Sequence, residues 1–175
     1  EESSKGKSMI GTTGNGIGPC YSDKASRIGI RMGDLLDDDI IIERLEKALP
    51  RNQALLAHYG INNDLTVDNL FKTCKEWRNQ LGSFVTDTSL LVNQHIDKGD
   101  NVLLEGAQGV HIDIEYGTYP FVTSSSPTTA GVALGSGIAP SKIDKVVGVT
   151  KAYLTRVGSG PFPTELEDKV GEMIR

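Results

Sequence analysis

The sequence is poor in the residues and runs that mark several protein classes. Its 175 residues include only two cysteines, Cys20 and Cys74, and their separation matches no metal-binding pattern. We expect both thiols to be reduced and buried, which favours a cytoplasmic protein. No apolar run reaches the roughly 18 residues that a membrane-spanning helix needs, and no signal-peptide pattern opens the chain. A membrane protein is therefore not predicted.

Clusters of like charge and metal ligands are also missing. The chain carries 18 Lys and Arg against 23 Asp and Glu, a net charge of −5, and no block of about five like charges. Nucleic-acid binding is therefore not predicted, although a local patch could still bind a small anion. The histidines are scattered without metal-ligand spacing, so no metal site is predicted; they are His58, His95 and His111. The remaining composition, 38% hydrophobic and 23% charged, is that of a globular protein.

The middle of the chain, residues 33–98, has the patterns of a helical scaffold. Asp37 to Asp39 place negative charge at the start of an amphipathic helix, which Pro50 should end or kink. Thr66 is the predicted cap of a second helix, and a third should end near Lys98. We expect this stretch to serve packing, because it shows no constellation of chemically active residues.

After residue 99 the patterns become those of strands and glycine loops. Val102–Leu104 and Val146–Val149 are predicted to be buried strands, with a short helix over 128–137 between them. The segment 158–163 is predicted to be an irregular loop. Strands mixed with helices indicate an α/β fold, and the chain divides into residues 1–32, 33–98 and 99–175.

The amino-terminal part holds two motifs that could bind phosphate. Residues 5–8, Lys-Gly-Lys-Ser, are not a phosphate loop, because Glu1 stands where that pattern requires glycine. The glycine-rich stretch 11–19 could form a nest of N–H groups for an anion, or could simply connect two elements.

A basic stripe follows the glycine-rich stretch. A helix is predicted from Ser22 or Asp23 toward Arg31, and it would place Lys24, Arg27 and Arg31 on one face. The stripe could be solvated surface or a phosphate contact. Arg27 is the best phosphate candidate, since a guanidinium fork matches phosphate oxygens.

Residues 105–126 carry the strongest sign of a binding site. Gln108 lies between glycines just after a predicted strand, where an amide can approach a ligand without adding charge. Thr123 begins a run of hydroxyl groups that could bind phosphate or form a polar turn. Asp113 and Glu115 alternate as on an exposed edge, and they also suit acid–base chemistry. His111 lies beside this loop without a clear role.

Three blocks of this sequence resemble the adenylosuccinate synthetase family, with similarity from about Ser8 to Leu166. The blocks are IGTTGNGIGP at 10–19 with Asp23, Lys24 and Arg27; LEGAQG at 104–109 with GTYPFVTSS at 117–125; and KAYLTRVGSGPFPTE at 151–165. The resemblance implies a larger mixed sheet of the P-loop-containing NTPase type with a mostly helical insertion. It also implies purine biosynthesis in the AMP branch, in which IMP and L-aspartate are joined at the expense of GTP, with Mg²⁺.

The resemblance further implies roles for individual residues. Gln108 would hold the hypoxanthine near its 6-oxygen, which GTP phosphorylates before the aspartate amine displaces the phosphate. Thr13 and Thr123 would contact the IMP phosphate, and Val157 the ribose. Arg27 would reach the IMP phosphate of the neighbouring subunit of a homodimer, with Lys24 and Arg31 near that interface.

Several functional parts of the family have no counterpart in these residues. They are the amino-terminal phosphate loop with its catalytic aspartate, the catalytic histidine, the aspartate-binding loop and the guanine-reading segment. His111 matches no catalytic position, and Pro127 departs from the usual hydroxyl loop. We therefore expect a piece of a longer protein that carries much of the IMP half-site, binds neither GTP nor Mg²⁺ fully, and is inactive alone. Two alternatives stay open: a scaffold fragment without ligand binding, and another purine-nucleotide enzyme.

Overall fold

The structure, a computed structural model, describes residues 2–174 apart from the side chain of Ser8. It divides into two units, which we treat separately. The first unit comprises residues 16–101, and the second combines residues 2–15 with residues 102–174. The sequence-based division at residues 32 and 98 stays a prediction.

The first unit is helical. Its helices are α1 (Ile17–Ala25), α2 (Asp38–His58), α3 (Val67–Leu81) and α4 (Thr88–Asp97), with short 3₁₀ turns at Met32–Leu36 and Gly82–Phe84. The three helices predicted within 33–98 are thus confirmed. Each begins at a side chain that caps free N–H groups: Asp37 accepts from Asp39 and Ile40, Thr66 from Asn69, and Asp87 from Leu90.

The core of this unit lies between α2 and α3. Leu35, Ile41, Leu45 and Cys74 form a buried apolar cluster, against which Val67, Leu70 and Phe71 pack. Burial raises the pKa of the Cys74 thiol, so the thiol stays protonated and acts as a small apolar group. The expected burial of Cys20 is wrong, because α1 buries none of its residues and Cys20 is exposed.

Two helix boundaries differ from those predicted. Helix α2 continues past Pro50 to His58, because the neighbouring residues Ala48 and Leu49 are buried and hold the chain in place. Helix α1 begins at Ile17, earlier than the predicted start at Ser22 or Asp23, since Gly16 makes the turn that precedes it with φ 74°.

The second unit has little regular structure. It contains α5 (Thr129–Ser136), which confirms the helix predicted over 128–137, and α6 (Lys169–Ile174). It also contains 3₁₀ turns at Glu2–Ser8, Val110–Ile112 and Pro140–Lys142. Its most deeply buried apolar residue is Ile138, at 5% exposure.

The predicted strands are not formed within residues 2–174. Val102–Leu104 and Val146–Val149 have no regular secondary structure there. They are not buried either: Leu103 is 88% exposed and Val149 is 96% exposed. A strand exists only as a member of a ladder, and neither segment has a strand beside it among the described residues. Across the same residues, no helix is long and apolar enough to cross a membrane.

Candidate functional site

Gln108 and Thr123 are in direct contact in the second unit. The Gln108 amide nitrogen donates to Thr123 Oγ1 at 2.9 Å, and Ser125 Oγ donates to Gln108 Oε1 at 3.3 Å. Gln108 has φ 71°, in the left-handed region that side chains other than glycine rarely adopt. The structure therefore brings an amide and the hydroxyl loop into contact, and their role in ligand binding stays a prediction.

Asp113 anchors the turn between these two groups. Its carboxylate is fully buried and accepts hydrogen bonds from the N–H groups of Glu115 and Tyr116, at 2.8 and 3.2 Å. Burial by itself would raise the pKa of Asp113, but these hydrogen bonds and the neighbouring Thr128 outweigh it and lower the pKa. The expected exposed edge is wrong for Asp113, because its side chain is buried in a turn; the acid–base alternative stays a prediction.

The backbone N–H groups of the glycine-rich stretch already bind a carboxylate. Glu2 Oε1 accepts from the N–H of Ile10 at 2.7 Å and of Gly11 at 2.8 Å. These hydrogen bonds, the one from Gly11 foremost, lower the pKa of Glu2. The start of the stretch thus acts as a nest for an internal anion, and Thr13, two residues further along, stays exposed.

The loop that contains Val157 packs against this same stretch. Ser159 N–H donates to the Ile10 carbonyl at 2.9 Å, and Gly11 approaches Gly158 so closely that a Cβ on Gly11 would lie 2.8 Å from the Gly158 Cα. Val157 itself is 85% exposed. Segment 158–163 has no helix or strand, which confirms the predicted irregular loop.

The same loop is joined to the loop that precedes Thr123. Arg156 Nη2 donates to the Phe121 carbonyl at 2.8 Å and to Thr118 Oγ1 at 3.1 Å. The second unit therefore connects the segments of Thr13, Thr123 and Val157 through backbone and arginine hydrogen bonds. Sequence reasoning assigned no role to Arg156 or Glu2. A basic residue just before the two glycines of the third block was the available signal for Arg156.

The three basic candidates belong to the first unit and do not share a helix face. Helix α1 ends at Ala25, so of the three only Lys24 lies on it, where its ammonium sits 5.8 Å from the centre of the Tyr21 ring. Arg31 is extended, with φ −96°. The predicted single stripe is therefore wrong, because the helix stops before it can align these residues.

Arg27 occupies the position after the helix end where glycine is usual. Its φ is 63°. The N–H of Arg27 donates to the Lys24 carbonyl, and the N–H of Ile28 donates to the Asp23 carbonyl. This is the Schellman arrangement, which turns the chain sharply away from a helix. The exposed Arg27 side chain thus projects from a tight, left-handed turn.

Two further features of residues 2–174 bear on possible ligands. No group of three His, Cys, Asp or Glu side chains in this range could hold a metal ion. An apolar groove of about 630 Å³ runs beside α5 and is lined by Ala130, Ala133, Leu134 and Ile138, among others. None of the predicted site residues lines it.

Comparison with known proteins decides the family. The family model described as adenylosuccinate synthetase matches residues 1–175. The chain belongs to the adenylosuccinate synthetase family. It is 55% identical over 175 residues to the adenylosuccinate synthetase of Streptococcus gordonii, covering 100% of this chain and 41% of that protein.

Other members of the synthetase family show the same partial coverage. The Levilactobacillus brevis synthetase is 55% identical over 168 residues, which are 96% of this chain and 39% of that protein. The structure of the fully ligated adenylosuccinate synthetase from Plasmodium falciparum superposes with a TM-score of 0.89 at 41% identity, covering 99% of this chain and 41% of that one. This chain thus spans about 41% of the length of the relatives it matches.

Proposed function

We propose that this chain supplies much of the IMP half-site of an enzyme that makes adenylosuccinate from IMP, L-aspartate and GTP. The observation that carries the proposal is the hydrogen bond between Gln108 and Thr123, with Gln108 held at φ 71°. Residues in sparsely populated backbone conformations cluster at active sites and ligand-binding sites.

The hydrogen-bond donors of the two side chains suit the roles proposed for them. An amide nitrogen carries two N–H groups, so Gln108 can donate one to Thr123 and the second to the 6-oxygen of the base. Because Thr123 Oγ1 accepts from Gln108, its own O–H is available to a phosphate oxygen. A donor aimed at a developing 6-oxyanion stabilises it, and removing one such donor typically costs about 10²–10³ in rate.

The remaining assignments belong to the same proposal. Thr13 contacts the IMP phosphate and Val157 the ribose, and both lie on segments joined at Ile10 and Ser159. Arg27 reaches the phosphate of a neighbouring subunit in a homodimer, with Lys24 and Arg31 near that interface. The segments Val102–Leu104 and Val146–Val149, of which Leu103 and Val149 are the most exposed large apolar residues, join a mixed sheet of the P-loop NTPase type that the longer chain completes.

GTP and Mg²⁺ enter the proposal only through the complete enzyme. Since no group of three His, Cys, Asp or Glu side chains among residues 2–174 could hold a metal ion, we assign Mg²⁺ no residue of this range. We also propose a cytoplasmic location for the complete enzyme, in keeping with its biosynthetic role in the family.

Calorimetric titration of the chain with IMP tests the proposal. We expect saturable binding that Gln108→Ala weakens, while Gln94→Ala, an exposed glutamine of α4, leaves it unchanged. If titration with millimolar IMP produced no heat of binding, the chain would be a scaffold fragment without ligand binding. Equal binding of ATP or NAD would instead favour another nucleotide enzyme.

A further inference from the structure

The backbone of Ser159 is held from two sides. Its N–H donates to the carbonyl of Ile10 at 2.9 Å. Its carbonyl accepts from Arg156, from Nε at 3.3 Å and from Nη2 at 3.1 Å. Ser159 thus links Ile10, which precedes the glycine-rich stretch, to the side chain of Arg156.

Arg156 extends this connection to a third segment. Its Nη2 also donates to the carbonyl of Phe121, two residues before Thr123, and to Thr118 Oγ1. The Thr118 hydroxyl lies 3.1 Å from the same Phe121 carbonyl and 3.2 Å from the His111 carbonyl. Arg156 is half-buried, and its acceptors here are neutral oxygens, so its positive charge is used to hold loops and not to pair with a carboxylate.

The surrounding backbone leaves room for this arginine and for little else. Gly160 has φ 117°, and a Cβ placed on it would lie 2.5 Å from Arg156 Nη2 and 2.5 Å from Phe121 Cβ. A side chain at residue 160 would therefore push the guanidinium away from the Phe121 carbonyl. The position of the Arg156 guanidinium therefore depends on the absence of a side chain at residue 160.

We propose that Arg156 is a positioning residue, which sets the spacing between the segments of Thr13, Thr123 and Val157 by binding the backbone of Ser159 and the carbonyl of Phe121 at the same time. The inference rests on the proposed function, because these segments are the ones assigned to IMP. A guanidinium holds several acceptors in a fixed planar fork, which a lysine cannot do. Fixing the segments in advance reduces the ordering cost that IMP binding would otherwise carry.

The decisive measurement is hydrogen exchange of single amides by NMR, on millisecond-to-second times, in Arg156→Met and in the control Lys145→Met. Lys145 is an exposed residue of the same unit, so the control removes an equal charge. We expect faster exchange of the Ser159 and Thr123 amides in Arg156→Met only. Because IMP would then have to order these segments as it binds, we expect its dissociation constant to rise roughly tenfold to hundredfold.

Two further variants separate positioning from folding and from direct contact with IMP. Arg156→Lys should keep the thermal midpoint near that of the parent chain yet raise Ser159 exchange, since an ammonium cannot hold both carbonyls. Gly160→Ala should reproduce the Arg156→Met effects, and the double variant should be no worse than either alone.

Unchanged exchange at Ser159 and Thr123 in Arg156→Met would overturn the inference. If IMP binding were lost at the same time, Arg156 would be a direct ligand of the nucleotide. If exchange rose as expected but the parent chain bound no IMP, the junction would stand and the proposed function of this chain would fail.

Discussion

At the scale of single residues, backbone strain coincides with the proposed site. Among residues 2–174, the residues other than glycine with positive φ are Arg27 and Gln108, at 63° and 71°. A side chain in this region costs about 1–2 kcal/mol, which packing must offset. Both residues are ones that the resemblance assigned to IMP, so the strain lies where the proposed chemistry needs a particular side chain.

Replacing Arg27 with glycine should therefore stabilise the chain. Glycine adopts φ 63° without the steric cost, so we expect Arg27→Gly to raise the free energy of unfolding by up to about 1 kcal/mol in urea denaturation. Arg31→Gly is the matched control: Arg31 is extended at φ −96°, and glycine there should lower stability slightly. A loss of stability in Arg27→Gly would mean that the side chain makes a compensating contact.

The Glu2 carboxylate should make its nest sensitive to acid. Because hydrogen bonds from Gly11 and its neighbours lower the pKa of Glu2, the folded state prefers the ionised form. Its stabilisation is present above the ordinary pKa of 4.5 and is lost as pH falls through the lower folded value. NMR titration should show the Gly11 amide shifting over that range in the parent chain and staying flat in Glu2→Gln. Identical titration curves would remove Glu2 as the cause.

At the scale of elements, the stability of α2 depends on the face that carries its buried apolar residues. Ile41 is 1% exposed and packs with Leu45 and Cys74, whereas its neighbour Ile40 is 40% exposed. We expect Ile41→Ala to lower the free energy of unfolding by about 2–5 kcal/mol and Ile40→Ala to change it by less than about 0.5 kcal/mol. Denaturant midpoints followed by helical circular dichroism measure both. Equal losses of stability in the two variants would show that Ile41 is not part of the core.

The elements also show which structure can be predicted locally. The helices with caps at Asp37 and Thr66 were predictable, since a cap and an apolar face act within a few residues of sequence. The end of α1 was not, because the Schellman turn uses an arginine in place of the usual glycine. The strands at Val102 and Val146 were not confirmed, because a strand depends on a distant partner segment.

The candidate site follows the same rule. The sequence identified Gln108 and Thr123 from the glycines and hydroxyl groups around them, and the structure places them in contact. Arg156 was overlooked because its acceptors, Phe121 and Thr118, are 35 and 38 residues away along the chain. Sequence patterns report neighbours along the chain far better than such distant contacts.

At the scale of the whole molecule, the two units differ in how much they bury. Helix α2 buries Ile41, Leu45, Ala48 and Leu49, whereas α5 buries no residue. We expect the amides of α5 to lose protection at lower urea concentration than those of α2, as measured by native-state hydrogen exchange. A single common midpoint for both helices would show that the chain unfolds as one cooperative body.

The contact between Gly11 and Gly158 limits how this chain can change over generations. A Cβ on Gly11 would lie 2.8 Å from Gly158 Cα, and one on Gly158 would lie 2.8 Å from the Ile10 carbonyl oxygen. Both residues already have the smallest side chain available, so neither can shrink to accommodate a mutation in the other. A lineage in which one of these glycines is replaced can relieve the clash only if the backbone of one of the two segments moves. Selection should therefore retain glycine at both positions, whatever substitutions occur around them.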